Sequence, residues 1–350
     1  MQQLTFLEPG RLEWQDVEAP AGPGPGEAIV RPVAVATCDL DRAILAGAAP
    51  FFPPPFPFGH ECVGELIAAG EGVHAGEGAL VSIPFEISCG TCAACRRGHD
   101  AHCERVPRLS FYGMGEGGRR YGGFLSDQVL VPYARHMLVP VPEGITPASV
   151  ASLSDNIPDA WRTVAPPLGD NPGAAVLVCG GTGSIDLYAV AIALALGAER
   201  VDYACENAGL RERAVGLGAN VIADAFPDRL GSYPITVNAS VGHAGLQCAL
   251  RSTEPEGVCT SVGVYAESET PVPLFEMYTK GITFKTGMVN ARPLMEEILD
   301  LVRSGRFRPE EITVRVAGWA DARGAPLEHF GKLVTTVSYT HLTLPTNREV

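Results

Sequence analysis

From Ala174 onward the chain alternates short apolar runs with helical ones, and this alternation constrains the fold more than any other feature. AAVLVCGG at 174–181 reads as a short continuous apolar strand, IDLYAVAIALALG at 185–197 as a buried helix, ERVDYAC at 199–205 as a second strand, and AGLRERAVGLGA at 208–219 as an amphipathic helix. Stretches 235–240 and 257–264 continue the strand series around a helical segment at 243–253. Consecutive strands joined through helices lie parallel, which predicts a doubly wound parallel sheet and an α/β fold class. The first half of the chain follows a different rule. Segments 27–36, 61–69 and 79–86 read as strands without intervening helices, while PFFPPPFP at 50–57 lacks the donors a central strand needs. Loop and strand character returns after Gly287, with one amphipathic helix at 293–303. The α/β unit, 156–286, is therefore expected as an insertion between two parts of a β-rich domain, 1–155 and 287–336. The last stretch, 337–350 (VSYTHLTLPTNREV), has no periodicity and resembles translated sequencing-adapter sequence, so it is read as a non-native tail.

Charge narrows the partners. Lys and Arg number 26 against 40 Asp and Glu, a net of −14, which repels phosphate backbones and anionic headgroups, so neither nucleic acid nor membrane is an expected partner. No apolar run reaches the roughly 18 residues of a membrane helix, and the first residues lack a basic stretch followed by an apolar core. A soluble cytoplasmic protein is expected, and its 10 cysteines should then be reduced.

Four of those cysteines cluster. Cys89, Cys92, Cys95 and Cys103, in CGTCAACRRGHDAHC, have the spacing of a loop that wraps four thiolates around zinc, a closed structural site in a lobe at 86–106. The seven residues before the fourth cysteine, with no proline after it, suit bacterial iron–sulfur spacing poorly. His99 and His102 lie within the loop and are expected in solvent, because the thiolates complete the shell.

A second constellation is dispersed: Cys38 in ATCDLD, His60 and Glu61 in FGHECVGE, and Asp155 in SLSDNIPDAW. Singly, such residues are commonly core, hydrogen-bonded filler or a helix start. Together with the four-cysteine lobe, GGF at 122–124 and LSD at 153–155, their order resembles that of the zinc-dependent medium-chain alcohol dehydrogenases, from about Leu4 to Val334. The resemblance implies an irregular β-rich, GroES-like catalytic domain joined to a Rossmann domain. It implies a catalytic zinc held by Cys38, His60 and Asp155, with Glu61 beside it and Asp41 orienting the histidine, so that two zinc ions bind per chain. A thiolate, an imidazole and a carboxylate leave tetrahedral zinc one open position for an alcohol or carbonyl oxygen. Hydride would pass to or from NAD(P).

The expected cofactor turn is Gly181, Thr182, Gly183, Ser184 and Ile185, where Gly181 and Gly183 match the first two glycines of the G-x-G-x-x-G pattern. Asp186 replaces the third and is expected to turn outward as a helix-terminal carboxylate. Counting 24 residues from Gly181, to where the family's acidic side chain usually meets the ribose, reaches Cys205, and Glu206 follows it as an alternative. No arginine closer than Arg211 could hold a 2′-phosphate, so NAD is slightly preferred over NADP. Leu40 replaces the hydroxyl that usually relays the proton in this family, and Asp159 with Arg162 either binds substrate or forms an ordinary i,i+3 pair. Leu40, Phe51, Phe52 and Trp161 are expected around the substrate, while Cys62, Cys179, Cys248 and Cys259 read as core. The resemblance also suggests a homo-oligomer, dimer or tetramer. The departures at Leu40, Asp186 and Cys205 keep one alternative in view, a zinc-stabilised non-catalytic nucleotide-binding protein with a degenerate cofactor site.

Overall fold

The structure, a computed structural model, describes residues 1–328 and 331–337. Positions 338–350 of the expected tail lie outside the described residues; Val337 donates its amide to the Val33 carbonyl.

The alternating half forms a six-stranded, all-parallel sheet. Val176–Cys179 lies between Val201–Ala204 and Tyr233–Asn238, with Asn220–Ala223 beyond the former and Thr253–Ser261 then Thr283–Lys285 beyond the latter. This is the doubly wound order that reverses direction beside its first strand and opens a crevice at the strands' carboxyl ends. Helix Ile185–Ala195 is buried along most of its length, as its unbroken apolar character requires. The strand expected at 257–264 begins earlier, at Thr253. Its Glu-Pro-Glu-Gly signal, which reads as a turn, is absorbed as an irregularity in the ladder: Glu256 takes φ +63° and the register against Tyr233–Asn238 slips there.

The other half is antiparallel at its centre. Ala28–Thr37 pairs with Glu61–Ala69, which continues through Leu80–Ile83 to Val139–Pro140. Pro32 sits inside this central strand, and the ladder shifts register directly after it, because proline has no amide to donate. On its other side Leu333–Thr336 pairs with Ala34–Thr37, and Arg315–Gly318 pairs parallel beyond it to form the edge. The end of the described chain thus returns to the sheet its beginning built, and the parallel sheet lies between the two in sequence. The proline-rich run contributes only Phe56–Pro57, at the edge of a small sheet with Gln2–Glu8.

One core cluster joins Val176 and Val178 to helices Asn156–Asp170, Ile185–Ala195 and Met295–Arg303, and takes in Val33 and Val63 of the antiparallel half. Packing is therefore continuous across the crevice. Cys62, Cys179, Cys248 and Cys259 are all buried in apolar surroundings.

Candidate metal and cofactor site

Three chain turns converge at the crevice. Cys38 ends the strand Ala28–Thr37 and starts the helix Asp39–Leu45. Its amide donates to Asp41 Oδ2 at 2.8 Å, and Asp41 Oδ1 stands 3.1 Å from His60 Nδ1, off the line of an ideal hydrogen bond, with neither atom having another partner among the described residues. Asp41 thereby ties the two segments together and leaves Nε2 of His60 facing the cluster. Asp155 precedes the helix Asn156–Asp170, and the neighbouring Ser154 hydroxyl accepts from the Cys62 amide at 2.8 Å, which pins that turn to the sheet.

Cys38 Sγ lies 3.7 Å from His60 Nε2, and Asp155 Oδ2 lies 3.4 Å from the same nitrogen. Glu61 Oε1 is 3.7 Å from it, and one donor atom from each of the four residues lies within 4.8 Å of all the others. Ligands bound tetrahedrally at about 2.0–2.3 Å are separated from one another by roughly 3.3–3.8 Å, so the donor set fits a zinc ion. Burial, and next Asp41, push the Cys38 thiol up to about 11. Burial alone would lower His60, but Asp41, Cys38 and Asp155 carry it well above the ordinary imidazole value. A site whose thiol and imidazole both hold protons when empty releases them as a cation enters.

The four-cysteine lobe forms the second donor cluster, with Cys92 Sγ at 3.4 Å and Cys89 Sγ at 4.0 Å from Cys95 Sγ, all four thiols buried and within 4.8 Å of one another. His99 and His102 are exposed. Ala101 in the lobe donates to Asn290 Oδ1 at 3.0 Å, which anchors it to the chain beyond Gly287.

Sequence reasoning missed Lys332. Its ammonium is fully buried, 2.9 Å from both Glu61 oxygens and 2.9 Å from Asn156 Oδ1. Glu61 is nevertheless held above the usual carboxylate range, because burial outweighs the attraction of Lys332. Asn156 Oδ1 also accepts from Ser184 Oγ at 2.8 Å, while its Nδ2 donates to Asp155 Oδ2 at 2.9 Å. One amide thus links the metal-type cluster to the glycine turn. The sequence signal was a single cation inside the apolar run KLVTTV.

The glycine turn, Gly180 to Ser184, follows the first strand of the parallel sheet at the point where strand order reverses. Asp186 corrects the expectation made for it. It is fully buried beneath the turn, where it accepts from the Gly181 amide at 2.9 Å, the Leu187 amide at 2.9 Å and the Tyr203 hydroxyl at 2.7 Å. Inward turning wins because these three donors, with the Thr182 hydroxyl at 3.3 Å as a fourth, replace the lost hydration of the carboxylate. Space for it comes from Gly180, where a Cβ would lie 2.2 Å from the Tyr203 hydroxyl oxygen. The amides of Gly183, Ser184 and Ile185 have no hydrogen-bond partner among the described residues, so the helix start remains open to an anion. That opening, at the switch point of the sheet, fits a dinucleotide pyrophosphate. Asp39 lies against the same turn, and burial, then Asp186, push its carboxyl up to about 7.

Cys205 also departs from expectation: it is 1% exposed, with its side chain in the core, and Glu206 is the exposed member of the pair. Arg211 is occupied with the Cys205 and Glu206 carbonyls, both at 2.8 Å. Trp161, expected around substrate, is buried in the shared core. Leu40 and Phe52 pack against the β-rich core, while Phe51 is exposed. Asp159 and Arg162 form an ion pair at 2.5 Å, and Arg162 also donates to the Gly287 carbonyl.

Comparison with known proteins agrees with this geometry. The alcohol dehydrogenase GroES-like domain matches residues 24–143. A Mycobacterium tuberculosis protein named "Probable zinc-binding alcohol dehydrogenase" is 31% identical over 295 residues, 82% of this chain and 74% of that protein. An alcohol dehydrogenase of Geobacillus stearothermophilus is 27% identical over 85% of this chain and 87% of its own. Among solved structures, the alcohol dehydrogenase of Thermus sp. ATN1 superposes with a TM-score of 0.83 at 28% identity, covering 97% of this chain and 100% of that one. The Geotrichum candidum acetophenone reductase, solved with NAD, gives 0.80 at 26% identity over 96% of each chain. With its β-rich and parallel-sheet halves and its clustered zinc-type donors, the chain belongs to the zinc-dependent medium-chain alcohol dehydrogenase family of NAD(P)-linked oxidoreductases.

Proposed function

We propose that the protein interconverts a small alcohol or polyol and its aldehyde or ketone, with NAD as the preferred cofactor and two zinc ions per chain. The observation that carries the reading is the convergence of Cys38, His60 and Asp155 from three separate segments onto one point at the crevice.

Cys38, His60 and Asp155 would hold the catalytic zinc, and Cys89, Cys92, Cys95 and Cys103 the structural one. The catalytic ion, when bound, supplies the Lewis acidity that lowers a hydroxyl pKa or polarises a carbonyl. Asp41 keeps the His60 ring oriented, and Lys332 holds Glu61 at the edge of the donor cluster. The open amides of Ser184 and Ile185 would bind the pyrophosphate, with Gly181, Thr182 and Gly183 letting the backbone approach it. Glu206 would accept from the ribose hydroxyls and repel a 2′-phosphate, which favours NAD. The nicotinamide, when bound, supplies the hydride acceptor or donor. Residues 1–155 and 287–336 would form the catalytic domain and 156–286 the nucleotide domain, in a homo-oligomer working in the reducing cytoplasm, where zinc-binding thiols persist.

A panel of alcohols and carbonyls, assayed by the absorbance of reduced nicotinamide with both cofactors, tests the reading. Turnover of at least one pair, lost in His60→Ala, supports it; no turnover by zinc-loaded protein that binds NADH contradicts it.

A further inference from the structure

The helix Asp39–Leu45 belongs to the β-rich half, yet its first residue reaches the glycine turn of the other half. A Cβ built on Gly183 would stand 3.3 Å from Asp39 Oδ2 and 3.7 Å from Oδ1, so the carboxylate rests against the turn where a side chain would otherwise project. Gly183 has φ +77°, so the turn also requires glycine for its backbone. Asp39 Oδ2 is buried and has no hydrogen-bond partner among the described residues, and Oδ1 is 4.0 Å from Arg42 Nε. Asp186 carries the second carboxylate of this turn, but four donors satisfy it. Lys332, the nearby buried cation, is engaged by Glu61 and Asn156.

We propose that Asp39 is an affinity-determining residue for the cofactor: its carboxylate rests against Gly183, in the same turn as the open amides of Ser184 and Ile185, and opposes the charge of a dinucleotide pyrophosphate held there. The inference rests on the reading of this turn as the cofactor site. Like charges a few ångströms apart in a partly buried place are screened little by water or salt. The helix start attracts the anion, the aspartate repels it, and the dinucleotide binds more weakly than the turn alone would allow.

NADH and NADPH titrations at about pH 8.5, where the Asp39 carboxyl is ionised, followed by nicotinamide fluorescence on zinc-loaded wild type, Asp39→Asn and Asp39→Ser, test this. The Kd for NADH should fall about tenfold in both variants, a gain of about 1.4 kcal/mol, with zinc content and far-ultraviolet circular dichroism unchanged. Competition by adenosine, which carries no phosphate, should be unaffected. Wild type that binds NADH as tightly as both variants overturns the role of Asp39 and leaves the cofactor reading standing. An equal gain for adenosine also overturns it, since the effect would then be packing. If none of the three proteins binds either dinucleotide at millimolar concentration, the cofactor reading itself fails and takes the inference with it.

Discussion

Lys332 Nζ lies 2.9 Å from each carboxylate oxygen of Glu61, and both side chains are fully buried. Removing one partner strands the other's charge. Lys332→Met should destabilise the protein by about 3–5 kcal/mol, whereas the double variant Glu61→Gln with Lys332→Met should recover much of that loss. Denaturant midpoints of the three proteins provide the check; a double variant no more stable than Lys332→Met would show that the pair is not the cause.

The Tyr203 hydroxyl is one of four donors that make a buried Asp186 tolerable. Tyr203→Phe should cost about 1–3 kcal/mol, because the carboxylate loses a partner it cannot replace with water. Urea unfolding would reveal it, and an unchanged midpoint would mean that Asp186 does not depend on this hydroxyl.

Asp159 provides a pH test. Burial, opposed by Arg162, pushes its carboxyl up to about 6, above the roughly 3.9 of an unfolded chain. The native state therefore binds this proton more tightly, so the contribution is present below about pH 4 and is lost as pH rises toward 6. Wild type should lose stability relative to Asp159→Asn across that window, with a slope of at most about 1.4 kcal/mol per pH unit, and the difference should be level above pH 7. A difference independent of pH contradicts this.

The cysteine lobe shares no donor with the cluster of Cys38, His60, Glu61 and Asp155, so its loss should be local. Cys95→Ser should release one zinc and expose the loop 97–108 to limited proteolysis while the other zinc stays bound. Loss of both ions together would show that the clusters are coupled.

Sequence pattern carried the architecture further than it carried the crevice. Four of the six parallel strands announced themselves as mainly apolar runs, and the four cysteines by spacing alone, because both signals are local; the outermost strands, Asn220–Ala223 and Thr283–Lys285, went unread because they are short and half-exposed. Cys38, His60 and Asp155 come from segments far apart in the chain, so only resemblance could assemble them. Asp186 was misread because a carboxylate in a first helical turn ordinarily faces water; what reverses that preference, Tyr203 and the room left at Gly180, lies on a different strand or shows no side chain at all. Lys332 went unnoticed because its partners, Glu61 and Asn156, are brought to it by the returning strand Leu333–Thr336.

Zinc stoichiometry tests the central claim most directly. Elemental analysis of purified protein should find about two zinc ions per chain, falling to about one in Asp155→Ala and in Cys38→Ala, with the lobe ion retained in both. A single zinc that survives both substitutions would contradict a metal held between Cys38, His60 and Asp155.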